Sequence, residues 1–365
     1  MNAFERVRAR WDTASSGQRA AAVLIAGCAA LLAVVLAAVL TAGGPARSPA
    51  APSPTTAAAT PESPQGTPGP TGDTGTPTPG VSPLTGLPGE TGRILAVKVD
   101  NVVNARPQTG LNSADVVYAI EVEGGISRFL AVFDSGHLPA RDTIGPVRSA
   151  RETDLPLLQQ YGKVDFVYSG AQSRFLPVLA AADVYNASPA EVGGAFFRGS
   201  ENVAPYNEYV VPSEVLAALP DSAPARDVGF RFGDAPAGGV PTQSFTARMP
   251  AATFTFTWSP EEGRYLVSMD GRPGATRDAG RLGAPTIVVQ KVAGTTSPMG
   301  LKDSAGQLVP YAPTVGSGEA VVLRDGMAYQ GSWSRPDPAA GTEFTFAGQR
   351  MPFHPGQVWV VLEPR

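Results

Sequence analysis

Cysteine is nearly absent from this 365-residue chain. Cys28 stands alone, so neither an intrachain disulfide nor a cysteine metal cluster is possible. Histidine is as scarce: His137 and His354 lie far apart in sequence, which leaves no histidine-rich metal site and no repeated His–acid relay. No G-x-S-x-G elbow, P-loop, dinucleotide glycine fingerprint or EF-hand pattern occurs. No cofactor and no metal are expected. Lysine is confined to Lys98, Lys163, Lys291 and Lys302, so the basic charge is mostly arginine. The net charge is -4, and Arg6, Arg8, Arg10 and Arg19 are concentrated before residue 20. The rest of the chain is therefore more acidic than the whole, which argues against a nucleic-acid partner.

Three segments of different composition open the chain. Residues 1–19 form a basic polar tail. Residues 20–42 are 23 residues without a charge or a proline. As a helix rising ~1.5 Å per residue they span ~34 Å, enough for a bilayer core of ~30 Å. Arginines precede this run and only Arg47 soon follows, so the positive-inside rule predicts a single-pass anchor. The N-terminus is then cytoplasmic and all that follows extracytoplasmic. A lipoprotein signal is the alternative, because Ile25-Ala26-Gly27-Cys28 fits a lipobox, with Cys28 as the lipidated residue. Against it, the apolar run continues from Leu31 to Leu40. Residues 43–82, rich in Pro, Thr, Ser, Ala and Gly, lack the large apolar side chains that offset ordering entropy. They read as a disordered, partly polyproline linker with an extended limit of ~120 Å at ~3.1 Å per residue.

The remainder divides into a mixed α/β region, 83–225, and a β-rich region, 226–365, an α+β chain overall. In the first, Ile94–Val99, Val116–Ile120, Arg128–Phe133 and Val164–Tyr168 read as strands, with Gly124-Gly125 closing a hairpin. Pro146 fits the first turn of a helix carrying Arg148 and Arg151. Ser173–Ala182 and Ser213–Leu219 read as helices, the latter capped by Ser213. In the second, Phe245–Trp258, Tyr265–Met269, Thr286–Val292, Glu319–Leu323, Met327–Trp333, Glu343–Phe346 and Gln357–Leu362 read as strands. Asp270-Gly271 and Asp325-Gly326 are hairpin signals.

The polar residues cluster from Val99 to Arg151. Asp100 and Asn101 end a strand, where open α/β sheets form ligand crevices. Arg106 and Gln108 flank a proline turn, Glu123 precedes two glycines, and Arg128 starts a strand. Arg148 and Arg151, three residues apart, would share one face of the expected helix at an anion-favouring N-terminus. Asn207, after Pro205-Tyr206, is a further candidate for the same pocket. Asp100 and Glu123 are also the candidate catalytic carboxylates of a glycan or peptide hydrolase. That chemistry needs carboxyls ~5–5.5 Å or ~6.5–9.5 Å apart. Neighbouring arginines would depress their pKa values, which suits recognition better than acid catalysis.

The ordered motifs carry a resemblance. They are SPLTGL at Ser82–Leu87, VDN at Val99–Asn101, ARPQTGL at Ala105–Leu111, ADVVY at Ala114–Tyr118, VEGGISRF at Val122–Phe129 and IGPVRSAR at Ile144–Arg151. The chain resembles the YerB-like lipoprotein family of bacterial envelope proteins over 83–365. The resemblance implies an extracytoplasmic location and two family domains, and no established reaction. The family often has Glu where this chain has Ala119, and His where it has Tyr206. The resulting expectation is a membrane-anchored envelope protein, leaning away from enzyme. Its arginine-lined pocket would bind an anionic or polyhydroxylated cell-wall component or a partner protein. The alternatives are the hydrolase and a structural scaffold with an internal arginine–carboxylate network.

Overall fold

The computed structural model describes residues 80–220 and 222–365. The tail at 1–19, the anchor at 20–42, Cys28 and the linker up to residue 79 lie outside the described residues. The last linker residue, Ser82, belongs to the fold: it is buried, and its backbone pairs with Leu87 and Gly86. Among the described residues no helix is long and apolar enough to cross a membrane.

Five strands of the first half enter the main sheet: β1 (Ile94–Asp100), β2 (Val116–Glu121), β3 (Ser127–Asp134), β4 (Asp165–Val167) and β5 (Tyr185–Ala187). They continue into strands of the second half as one twelve-stranded sheet. Its central order is Gly316–Arg324, Thr286–Val292, Val358–Pro364, β2, β3, β1, β4, β5. The seam between the halves is the parallel pairing of Val358–Pro364 with β2, Val117 facing Trp359. The expected β2–β3 hairpin is present, with Val117 opposite Ala131.

Because side chains alternate across a strand, the sheet presents two apolar faces. One carries Val97, Val117, Phe129, Val289 and Trp359, and packs on Phe254, Phe256 and Val267 of a smaller five-stranded sheet. The other carries Ala96, Tyr118, Leu130, Val288 and Val360 against Leu157, Leu158 and Tyr161. Covering on both sides leaves all of β1 and β3 buried.

Three local expectations change. Residues 143–152 are not a helix. The Asp100 amide donates to the Pro146 carbonyl and the Arg148 amide to the Lys98 carbonyl, so this segment lies extended along the end of β1. Gly145 is required there, since a Cβ would come within 2.8 Å of the Tyr209 ring. The helix begins only afterwards, as α1 (Asp154–Leu158). The other helices are α2 (Leu176–Ala181) and α3 (Pro212–Ala218). Ser213 lies inside the first turn of α3 rather than capping it, and bonds the Asp142 carboxylate. Finally, Phe245–Trp258 is two antiparallel strands, Ser244–Met249 and Ala252–Ser259, broken at Pro250, which has no amide to donate to the ladder.

The segment leading into β1 is held by carboxylates. Asp134 Oδ1 accepts from the amides of Gly92 and Gly136, at 2.7 and 2.8 Å. Asp115, beside it, accepts from the Asp134 amide at 2.6 Å and lies 3.7 Å from His137 Nδ1. Burial raises the Asp115 carboxyl to about 7, against the pull of the Asp134 amide; the Asp134 charge adds to the rise and His137 opposes it. A raised folded-state pKa means the native chain holds a proton that the unfolded chain releases. Stability is therefore expected to fall as pH rises from about 4 towards 7, by up to a few kcal/mol. Urea midpoints across that range should show the slope, and Asp115→Asn should flatten it.

Candidate functional site

The residues that interrupt the apolar alternation gather at one end of β1. Lys98 and Asp100 follow Ile94 and Ala96 on the α1 side of the sheet. Register places Arg128 of β3 directly across from Asp100. The extended segment brings Arg148 to the other side of Asp100, with Nε 3.0 Å from Oδ2. Asp100 is 1% exposed, and its Oδ1 accepts from the Asn101 amide at 2.9 Å.

Below this, Lys98 Nζ meets Asp154 Oδ1 at 2.6 Å, and both side chains are fully buried. Burial pushes the Lys98 pKa down, while Asp154 resists the shift. The other Asp154 oxygen accepts from the Arg151 amide at 2.7 Å, so the buried pair fixes the backbone that carries the arginines. Lys98 is absent from the expected site; a single lysine inside ILAVKVD is the signal that could have found it.

Arg151 turns towards Glu123, in the short 3-10 turn between β2 and β3. Its Nη2 donates to one carboxylate oxygen at 2.7 Å, and its Nε lies 2.7 Å from the other as an ion pair. Burial raises the Glu123 carboxyl, but the Arg151 hydrogen bond and charge outweigh it and hold the group below its ordinary value. Arg128 and Arg151 both donate to the Ser149 carbonyl, at 3.2 and 3.3 Å. Burial, and then the Arg151 charge, lower the Arg128 pKa to about 10.

The donors are unequally used. Arg151 donates to Ser149, Ala150 and Glu123. Arg128, 8% exposed, has its Nε buried without a hydrogen-bond partner among the described residues. Arg148 is paired through Nε and lies 5.6 Å from the centroid of the Tyr206 ring. Its two Nη groups have no hydrogen-bond partner among the described residues.

The remaining candidates stand apart. Asn101 Oδ1 accepts from Arg106 Nε at 3.0 Å and Gln108 Nε2 at 2.9 Å, and Asn101 Nδ2 donates to Ser127 at 2.9 Å. Arg106 also donates to Asp270 at 2.8 Å. This network ties the turn after β1 to the smaller sheet. Asn207 bonds Gly199 and Arg198 in its own hairpin, formed by β6 (Phe196–Arg198) and β7 (Glu208–Val210).

A cleft of about 370 Å³ opens beside the arginines, lined by Glu123, Ser149, Arg151, Gln172, Asp303 and Ser304 among others. That lies within the ~300–1,000 Å³ of small-ligand sites. Gln172, Asp303 and Ser304 were not legible as site residues. They reach the cleft because the loop around Lys302, from the second half, is bonded by Gln172 at 2.7 Å.

Residues 84–225 match the family described as Protein of unknown function (DUF3048) N-terminal domain, and residues 245–360 match its C-terminal domain. YerB of Bacillus subtilis (strain 168), named as a candidate lipoprotein, is 27% identical over 300 residues, 78% of this chain and 86% of that protein. The crystal structure of YerB protein from Bacillus subtilis is similar in fold, with a TM-score of 0.65 at 22% identity. That likeness covers 78% of this chain and 97% of the other.

Proposed function

Since the chain belongs to the DUF3048 family through both its N- and C-terminal domains, we propose that it is an envelope-anchored binding protein of the YerB type. Its arginine site would hold an anionic or polyhydroxylated cell-wall component, or an envelope partner carrying such groups. The observation that carries this reading is the unused hydrogen-bonding capacity of the partly exposed Arg148 guanidinium, next in sequence to Ser149, which with Arg151 lines a ligand-sized cleft. Three guanidiniums share one strand end, where Asp100 pairs with Arg148 and Glu123 with Arg151. The name of the Bacillus relative supports attachment at the envelope. Attachment would run through residues 20–42, either as a membrane span or by lipidation of Cys28.

The hydrolase reading has less support. Asp100 is 1% exposed beside Arg148, which closes it to a substrate, and the Arg151 contact holds the Glu123 carboxyl below its ordinary value, which disfavours it as a proton donor. The scaffold reading draws on the closed Asn101–Arg106–Gln108 network, which places those three residues in the fold's own support.

Thermal unfolding with wall fragments tests binding, because a ligand that prefers the native state raises the midpoint. Charge-assisted hydrogen bonds contribute ~1.5–3 kcal/mol each, so Arg148→Ala is expected to weaken retention about 10- to 100-fold. An unchanged ligand response in both Arg148→Ala and Arg151→Ala, with the fold intact, would overturn the binding reading.

A further inference from the structure

Acceptors line the cleft as well as donors. Glu123 presents its carboxylate from one wall. Asp303 presents its own from the other; its Oδ1 accepts from the Ala305 and Gln307 amides, at 2.9 and 2.8 Å. Oδ2 has no hydrogen-bond partner among the described residues. Gln172 donates through Nε2 to Lys302, which leaves its Oε1 as an acceptor. A bare phosphate or carboxylate entering this cleft meets two like charges. A hydroxyl-bearing ring meets acceptors for its O–H groups, with the hydroxyls of Ser149 and Ser304 beside them.

The opposite chemistry lies one residue away. Arg148 follows Val147 on the same extended segment as Ser149, and its free Nη groups want acceptors. Its guanidinium lies by the face of Tyr206, and the adjoining residues Val203, Ala204 and Pro205 are exposed, Val203 at 74%. An apolar and aromatic ledge beside a guanidinium suits the C–H face of a sugar ring that carries a carboxylate. Arg128 and Arg151 join the two regions through the shared Ser149 carbonyl.

From this arrangement we infer that the ligand is an acidic glycan: its carboxylate sits on Arg148 and its ring hydroxyls sit in the cleft of Glu123, Gln172 and Asp303. This rests on the binding reading above and narrows it to a ligand with an anion at one end and hydroxyl donors at the other. Neither half alone uses the whole site.

Calorimetry on the full-length chain in detergent tests it with four probes. They are N-acetylglucosaminyl-N-acetylmuramic acid, neutral N,N′-diacetylchitobiose, lactate and inorganic phosphate. The acidic disaccharide is expected to bind at least tenfold more tightly than any of the others. Arg148→Ala should remove its advantage over chitobiose, with Arg148→Lys retaining part of it. Gln172→Ala should remove its advantage over lactate. Both side chains are partly exposed, and the variants' unfolding midpoints report whether the fold is kept. Lactate or phosphate binding as tightly as the disaccharide would overturn the glycan inference while leaving an anion site in place. Equal binding of chitobiose would show that the carboxylate is not read. Absence of binding by all four probes would overturn this inference, while the thermal response to wall fragments decides the binding reading separately.

Discussion

Asp154→Ala is expected to destabilise the chain by about 3–5 kcal/mol, the usual cost of leaving one member of a buried ion pair alone. Lys98 and Asp154 are both fully buried at 2.6 Å, so water cannot replace the lost carboxylate. The substitution also removes the acceptor of the Arg151 amide. Lys98 can relieve the strain only by losing its proton, which burial already favours. In the variant the folded state therefore binds fewer protons than the unfolded one, and the deficit should shrink as pH rises. Urea unfolding at neutral and alkaline pH measures both effects. Lys98→Met combined with Asp154→Leu should recover part of the loss, because an apolar pair of similar volume needs no charge compensation, while the Arg151 amide stays without its acceptor. A fall of less than about 1 kcal/mol for Asp154→Ala would show that the pair contributes little, as exposed pairs do.

Trp359→Ala is expected to cost a similar ~3–5 kcal/mol, and to do so in the whole described fold rather than in its second half. Trp359 is fully buried in Val358–Pro364, with its ring centroid 5.3 Å from that of Phe129 in β3. Its Nε1 donates to Gln357, whose own amide donates to the carbonyls of Leu111 and Ala114. The chain's last strand thus carries the edge of β2 and grips the first half. Removing the indole leaves a cavity that spans the seam, so both halves should lose stability together. Circular dichroism and tryptophan fluorescence should follow one coincident transition in the parent and in the variant. Two separate transitions would show that the halves unfold independently despite their shared sheet.

Much of the local structure was legible. The short apolar runs Ile94–Val99 and Arg128–Phe133, the glycines at 124 and 125, and the Asp-Gly turns at 270 and 325 are short-range signals. The structure follows each of them. The helix expected around Arg148 failed because Pro146 suits two settings, a helix start and an extended edge. The neighbouring strand decided between them, by pairing with the Pro146 carbonyl and the Arg148 amide. The candidate site divided for the same reason. Asp100, Glu123, Arg128, Arg148 and Arg151 come together, while Asn101, Arg106 and Gln108 turn to each other and Asn207 to its hairpin. Residue type could name these polar groups but not say which of them would find partners within the fold.

The stretch from Val99 to Arg151 by itself determined that acids would be held among arginines, since the side chains are few, near in sequence and of opposite charge. Composition determined that no disulfide or cysteine cluster could serve the site. Only the tertiary structure decided which donors were left over, and that Gln172 and a loop near residue 303 would close the cleft. Hydrogen-bond capacity is used up by whatever lies within about 3 Å in space. The groups that satisfy or leave idle these arginines come from β2, from β3 and from beyond residue 300, and sequence order carries no record of that proximity.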